Sequence, residues 1–136
     1  MDAPRAAAAH SKWAALIGGF LNARPALHLV VPDHRADNVR AWPSPRSWQM
    51  AITVAATCEA TGGGRDVELA LLAGCVGEST TYELVTWIDA LDLPDPMALL
   101  ARPTSHPLPT RPDQMYVVLA SVLDHIRSHC TAETVT

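Results

Sequence analysis

A chain of 136 residues with 49% hydrophobic and 18% charged residues is too apolar to stay disordered and has the length of one domain with its own core. It contains no run of about 18 apolar residues, so the sequence predicts no membrane-spanning helix. Ten basic residues, one of them a lysine, stand against 14 acidic ones, and the net charge of −4 argues against binding to nucleic acid through phosphate contacts.

The three cysteines, Cys58, Cys75 and Cys130, form neither an even set nor a CxxC pair. They therefore predict neither a disulfide framework nor a zinc ribbon. Asp2 and Lys12 interrupt the regions expected of an N-terminal signal peptide. We therefore expect a reduced, cytoplasmic setting.

The first predicted helix carries apolar residues at i, i+3, i+4, i+7 and i+8, namely Trp13, Leu16, Ile17, Phe20 and Leu21. The pair Gly18-Gly19 predicts a break into two pieces, because glycine is a poor helix former. Residues 25–43 contain three prolines and no sustained period, which predicts an ordered connection with one short extended piece.

The next helix is predicted to follow the stretch AWPSPRSW, residues 41–48, and to end at the glycines of TGGGR, residues 61–65. Ser44 suits the N-cap position, and Pro45 suits the first helical position because it has no N–H to leave unpaired. Arg46 then falls in the first turn, where the helix dipole disfavours a cation.

Three further short helices are predicted between the glycines and residue 103. DVELALLAGCV has Asp66 as the expected N-cap and Gly77 just beyond its end. In STTYELVTWIDAL, Thr80 and Glu83 have the spacing of a capping box. LDLPDPMALLARP predicts a single turn of helix that is capped by Asp95.

The last predicted helix has the most regular pattern in the chain and begins after Pro112. Its apolar residues, Met115, Val118, Leu119, Val122, Leu123 and Ile126, keep helical spacing over three turns. No segment has strand alternation, so we expect residues 1–136 to form one all-α domain, a small bundle of about five or six helices. Residues 127–136 are expected to be a frayed C-terminus.

Several candidate sites have weak support in the sequence. The glycines of TGGGRDVE lack the GK[ST] of a phosphate-binding loop and are read as a helix connection. His125 and His129, four residues apart beside Cys130, are weak candidates for metal ligands, and a third ligand would have to come from His106 or from elsewhere in the fold. Cations near the C-terminal end of a helix also suit its dipole.

Two further arrangements of functional residues are disfavoured. Ser121, Asp124 and His125 lie on one helix, where they cannot adopt the geometry of a nucleophile, a base and an orienting acid. A helical DNA-binding regulator would need several basic residues on one helix face, and no predicted helix of this chain has such a face.

Arg46 is the strongest candidate. The N-terminus of a helix attracts phosphate, and an arginine there adds planar, bidentate donors, so a bound anion would offset the unfavourable position of the cation. The plain alternative is a solvated arginine, or one that pairs with Glu78 or Asp92.

The segment WPSPRSW resembles the sensor 2 motif, which opens a helix in the C-terminal lid of AAA+ ATPases, most closely in the MoxR-like branch. FLNARPAL before it, and LLAGCVGE, LDLPDPMALL and RPDQMYVVLASVL after it, are similar to other lid segments. The resemblance covers residues 12–126. It implies that the lid packs over a nucleotide held by a separate α/β core and that Arg46 contacts the γ-phosphate.

The resemblance also implies ring oligomers that couple ATP hydrolysis to the remodelling of a protein partner. The P-loop core of the family is absent from these 136 residues. We therefore expect no ATP hydrolysis by this chain alone, with ATP and Mg²⁺ bound only when a core domain or a neighbouring ATPase subunit is present. The alternative is a stand-alone helical interaction module without a nucleotide role, in which Trp42 and Trp48 form a partner surface.

Overall fold

A computed structural model describes residues 3–33, 40–91 and 93–129, and six α-helices account for most of them. The helices are α1 Ala3–Ala23, α2 Pro45–Ala60, α3 Arg65–Val76, α4 Glu78–Ala90, α5 Pro96–Ala101 and α6 Pro112–His129. Single 3-10 turns follow α1 and α5, and no strand occurs in the described ranges. The predicted all-α bundle is confirmed. None of the described helices is both long and apolar enough to cross a bilayer.

Helix α1 runs without a break through the centre of the bundle and packs against α2, α4 and α6. The predicted interruption at Gly18-Gly19 is therefore wrong. Gly19 serves a close approach instead, since a Cβ atom there would lie 2.6 Å from Val117 Cγ2 and 3.1 Å from Trp87 Cη2. The packing of α6 and α4 on this side of α1 outweighs the low helix propensity of two glycines.

The core is built around Phe20, which is fully buried between two tryptophans. Its ring centroid lies 5.8 Å from that of Trp48 on α2 and 5.7 Å from that of Trp87 on α4. These tilted and edge-on contacts are geometries that aromatic pairs prefer. The predicted core residues of α1 are buried, except Leu21, which is partly buried against the cluster.

Gly77 separates α3 from α4 with a positive φ of 91°, which favours glycine. Two predicted caps nearby are wrong. Helix α3 begins at Arg65 after Gly64, so Asp66 lies inside the first turn, where the dipole still favours a carboxylate. Helix α4 begins at Glu78, which places Thr80 inside the helix, buried, and not at its N-cap.

The structure describes the connections and the C-terminal end in part. The Asp95 side chain caps α5 by accepting a bond from the Met97 N–H, as predicted. Within the connection 25–43, the Val30 N–H bonds the Pro43 carbonyl at 2.9 Å, while residues 34–39 lie outside the described ranges. Helix α6 continues through His129, and the expected fraying at 127–136 otherwise falls on residues 130–136, which are not described.

Candidate functional site

The N-terminus of α2 is held by a closed set of hydrogen bonds between two serines. Ser44 is the N-cap, with extended backbone, and its Oγ accepts a bond from the Ser47 N–H at 3.1 Å. The Ser47 hydroxyl donates to the Trp42 carbonyl at 2.9 Å, so the 2.8 Å contact between the two hydroxyls is donated by Ser44. The predicted roles of Ser44 as N-cap and Pro45 as first helical residue are confirmed.

This cap leaves few backbone donors for an anion. Pro45 has no N–H, the Ser47 N–H is bonded to Ser44 Oγ, and the Trp48 N–H is bonded to the Ser44 carbonyl at 2.9 Å. Within the described part of the chain, Arg46 contributes the remaining backbone N–H of this first turn. The expected convergence of several backbone donors is therefore reduced to one N–H and the guanidinium of the same residue.

The Arg46 side chain is exposed and makes no ion pair among the described residues. The alternative pairing with Glu78 is not formed, and Asp92 lies outside the described ranges. No acidic residue lies in the first turn of α2. A cation therefore faces solvent at the positive end of a helix dipole, without a carboxylate from the described residues to compensate it.

The backbone that carries Arg46 is anchored on two sides. The indole of Trp48, two residues further along α2, is buried and donates to the Leu27 carbonyl at 2.9 Å. On the other side, the Ala41 carbonyl lies so close to Gly77 that a Cβ atom on Gly77 would come within 3.1 Å of its oxygen. The guanidinium consequently projects from a fixed helix end and not from a free loop.

Exposed apolar side chains lie beside this helix end. Leu29 is 56% exposed, Val31 is 73% exposed and Trp42 is 41% exposed. The hydrogen bond between Val30 and Pro43 places the 29–31 segment next to Trp42. We call the exposed side chains of Leu29, Val31 and Trp42 the Trp42 surface. The expectation that Trp48 shares in a partner surface is wrong, because Trp48 is a core residue.

The weak metal and catalytic candidates lie elsewhere in the bundle. Ser121, Asp124 and His125 line a cleft of about 380 Å³ between α1, α5 and α6, together with Lys12 and Asp95. The described residues contain no group of three or more histidines, cysteines or acids placed to hold a metal ion.

The other candidate metal ligands either lie outside this cleft or fall outside the described residues. The side chain of His129 and the whole of Cys130 lie outside the described residues. His106 lies in the connection before α6, where its Nδ1 contacts the Arg102 carbonyl at 3.2 Å.

A buried polar network at the start of α6 was not predicted. The Asp113 carboxylate accepts bonds from the Trp87 indole at 3.0 Å, the Gln114 N–H at 2.8 Å and the Arg111 guanidinium at 2.5 Å. Burial alone would raise the pKa of Asp113, but these donors outweigh it and hold that pKa below its ordinary value. The spacing RPD at a helix start was a usable signal for Arg111 and Asp113, but nothing in the sequence pointed to Trp87.

The single lysine of the chain lies in a second charged cluster. Lys12 on α1 pairs with Glu59 on α2 at 2.5 Å, and Glu68 on α3 lies near both. The pKa of Glu68 is raised, first by burial and then by the carboxylate of Glu59, while Arg65 and Lys12 partly oppose this. The cluster joins three helices and offers no uncompensated cation comparable to Arg46.

Comparison with known proteins finds no matching family, no matching curated protein and no matching solved structure.

Proposed function

We propose that this chain is a lid-like domain of the AAA+ type, close to the MoxR-like branch, which supplies Arg46 to the phosphates of ATP held by a separate P-loop domain. The observation that carries the proposal is the exposed guanidinium of Arg46, uncompensated among the described residues, at an anchored helix N-terminus. A γ-phosphate from another domain would provide the negative charge that this position lacks. The resemblance of WPSPRSW to the sensor 2 motif supports the same assignment.

The proposed role of Arg46 rests on the charge and planar shape of its guanidinium. A guanidinium presents planar paired donors, which match two phosphate oxygens. A guanidinium placed on the γ-phosphate stabilises the charge that develops on the transferring group. When hydrolysis of ATP removes the γ-phosphate, this contact is lost and the lid is released. The phosphate-binding loop, the Mg²⁺ ligands and the attacking water would all come from the partner domain.

The Trp42 surface supports a contact with that partner domain. Trp42 is joined to the Arg46 turn through the Ser47 hydroxyl, so a surface that docks there reaches the guanidinium as well. Burying these apolar side chains would stabilise the closed lid by about 25 cal/mol for each Å² removed from water. Closure would then couple the state of the nucleotide to the position of the lid, and through it to a protein substrate.

The test measures ATP turnover with this chain joined to its P-loop core. Arg46→Ala should lower the rate at least about tenfold, because an arginine on the transferring phosphate commonly contributes orders of magnitude. Arg46→Lys should recover part of the rate, since it keeps the charge but loses the fork. Arg102→Ala is the matched control, because Arg102 is exposed and has no ion pair among the described residues. An unchanged rate in Arg46→Ala would refute the proposal.

The second candidate is a helical interaction module without a nucleotide role, and the Trp42 surface favours it. The two functions predict opposite patterns in two variants. If the module reading holds, Trp42→Ala weakens binding of the chain to its partner protein while Arg46→Ala leaves ATP turnover of the assembly unchanged. Under the lid proposal, Arg46→Ala lowers turnover even where the partner remains bound.

A further inference from the structure

We propose that the outward face of α6 is a self-association surface through which two copies of this chain pair. The face consists of Met115, Leu119, Val122 and Ile126, which we call the α6 seam. This inference is independent of the proposed nucleotide role, because the seam lies on α6 whereas Arg46 lies at the start of α2.

The apolar stripe of α6 faces away from the bundle. The buried side of the helix is formed by Val117, which is fully buried, together with Val118 and Asp113. On the opposite side, Leu119 is 57% exposed, and Met115 and Ile126 are 44% and 39% exposed. An apolar stripe on a surface helix normally faces the core, so α6 has a second apolar face that lacks a partner among the described residues.

The spacing of the seam suits another helix. Its residues follow one another at intervals of four, three and four, which is the alternation of a and d positions in a coiled coil. With a rise of about 1.5 Å per residue, the seam spans roughly 17 Å, or three helical turns. A facing helix of the same length and period would bury all four layers.

The exposed area approaches what a dimer needs. The seam and its neighbours Tyr116 and Leu123, which are 48% and 65% exposed, together leave on the order of 500 Å² of apolar surface open. A standard interface takes roughly 800 Å² from each partner. Rim residues of α1 and α6 would supply the difference, which places the expected association in the weak, reversible range.

The protruding side chains of the α6 seam lie beside a groove on the same face of the bundle. This combination favours a second copy of the chain as the binding partner of that face. A groove of about 620 Å³ runs between α1 and α6, with the small residues Ala14, Ala15 and Ala120 in its lining and Tyr116 and Leu123 at its edge. In a two-fold contact each copy must offer both the protruding and the receiving surface. Leucine side chains beside a groove lined with alanines meet that requirement.

The charges around the seam do not oppose self-pairing. The seam itself carries none, so two identical copies meet without like-charge repulsion. At its C-terminal end, Arg127 pairs with Asp124 on its own helix at 3.5 Å. A strongly charged peptide would find no complementary row of charges along these three turns.

The experiment is sedimentation of the full 136-residue chain from about 1 to about 500 μM, a range that covers weak dimers. We expect a reversible, concentration-dependent dimer that is lost in the double variant Leu119→Glu with Leu123→Glu. Leu108→Glu is the matched control, because Leu108 is 87% exposed in the connection before α6, and its dimer should persist. Circular dichroism checks that each variant keeps its helices.

Leu119→Gln, which substitutes a seam residue and adds no charge, provides the same comparison if the double variant unfolds, and it should weaken the dimer at least fivefold. A chain that remains monomeric at every concentration overturns the proposal. A dimer that survives substitution of the seam, or one that Leu108→Glu disrupts equally, overturns it as well.

Discussion

Two glycines in different helices should respond in opposite directions to the same substitution. Gly19 lies in α1 against α6, whereas Gly74 lies on an open side of α3, where a Cβ atom would meet nothing within 4 Å. Alanine is preferred over glycine in a helix interior by about 1 kcal/mol. Gly74→Ala should therefore stabilise the chain by about 0.5–1 kcal/mol.

Gly19→Ala has the same intrinsic gain but meets a rigid neighbour. The new Cβ would lie 2.6 Å from Val117 Cγ2, against an optimal separation of about 3.5–4.0 Å. Val117 is fully buried, and a valine in a helix has one strongly preferred rotamer, so it cannot turn aside. Overpacking of this kind costs about 1–3 kcal/mol, which leaves a net loss of up to about 2 kcal/mol.

Urea denaturation followed by circular dichroism gives the free energy of unfolding of both variants and of the parent. Combining Gly19→Ala with Val117→Ala should recover part of the loss, because the second substitution removes the clashing methyl group, and the two changes should be non-additive. If Gly19→Ala stabilised the chain as much as Gly74→Ala, the close approach of α1 and α6 at Gly19 would be refuted.

Three further substitutions test the polar contacts. Asp113→Ala should cost about 2–4 kcal/mol, since it leaves the buried indole of Trp87 without an acceptor, against about 1 kcal/mol or less for the exposed Asp89→Ala. Because the pKa of Asp113 is lowered in the folded state, its carboxylate contributes fully to the free energy of unfolding above the unfolded pKa near 4, and this contribution is lost as pH falls through the folded pKa. The stability difference between Asp113→Ala and the parent should therefore shrink in urea titrations below about pH 4. Burial raises the folded pKa of Glu68, so its ionisation weakens the fold as pH rises, and Glu68→Gln should raise Tm near pH 7 but not near pH 4. Ser44→Ala should lower stability by about 1 kcal/mol in thermal melts, through loss of the N-cap.

The elements that the sequence predicted well are those whose signals are local. The cap at Ser44, the proline at the first position of α2 and the cap at Asp95 each depend on residues within one turn. The errors at Asp66 and Thr80 are also local, because a glycine took the N-cap position in both cases. A glycine needs no side-chain bond at an N-cap, so a nearby Asp or Thr is a misleading signal there.

Features that depend on tertiary packing were less accessible. The interruption at Gly18-Gly19 was predicted from helix propensity. Gly19 contacts Val117, however, which lies almost 100 residues further along the chain, so the residues around Gly19 do not indicate this contact. The candidate site shows the same division. Its helix and cap were predictable, whereas the burial of Trp48 and the exposure of Trp42 depend on how residues 25–33 and 40–43 pack against the bundle.

Helix α6 shows why a periodic pattern identifies a helix more readily than its orientation. Val117 and Val118 interrupt the stripe of Met115, Leu119 and Ile126, so the helix is apolar on two sides, and hydrophobicity alone does not decide which side meets the core. Packing decides it, because Gly19 on α1 accepts the small side chain of Val117 where a longer one would not fit. The longer side chains are left outside, spaced for another helix. The same packing that positions α6 on α1 therefore creates the surface that we expect to bind a second copy.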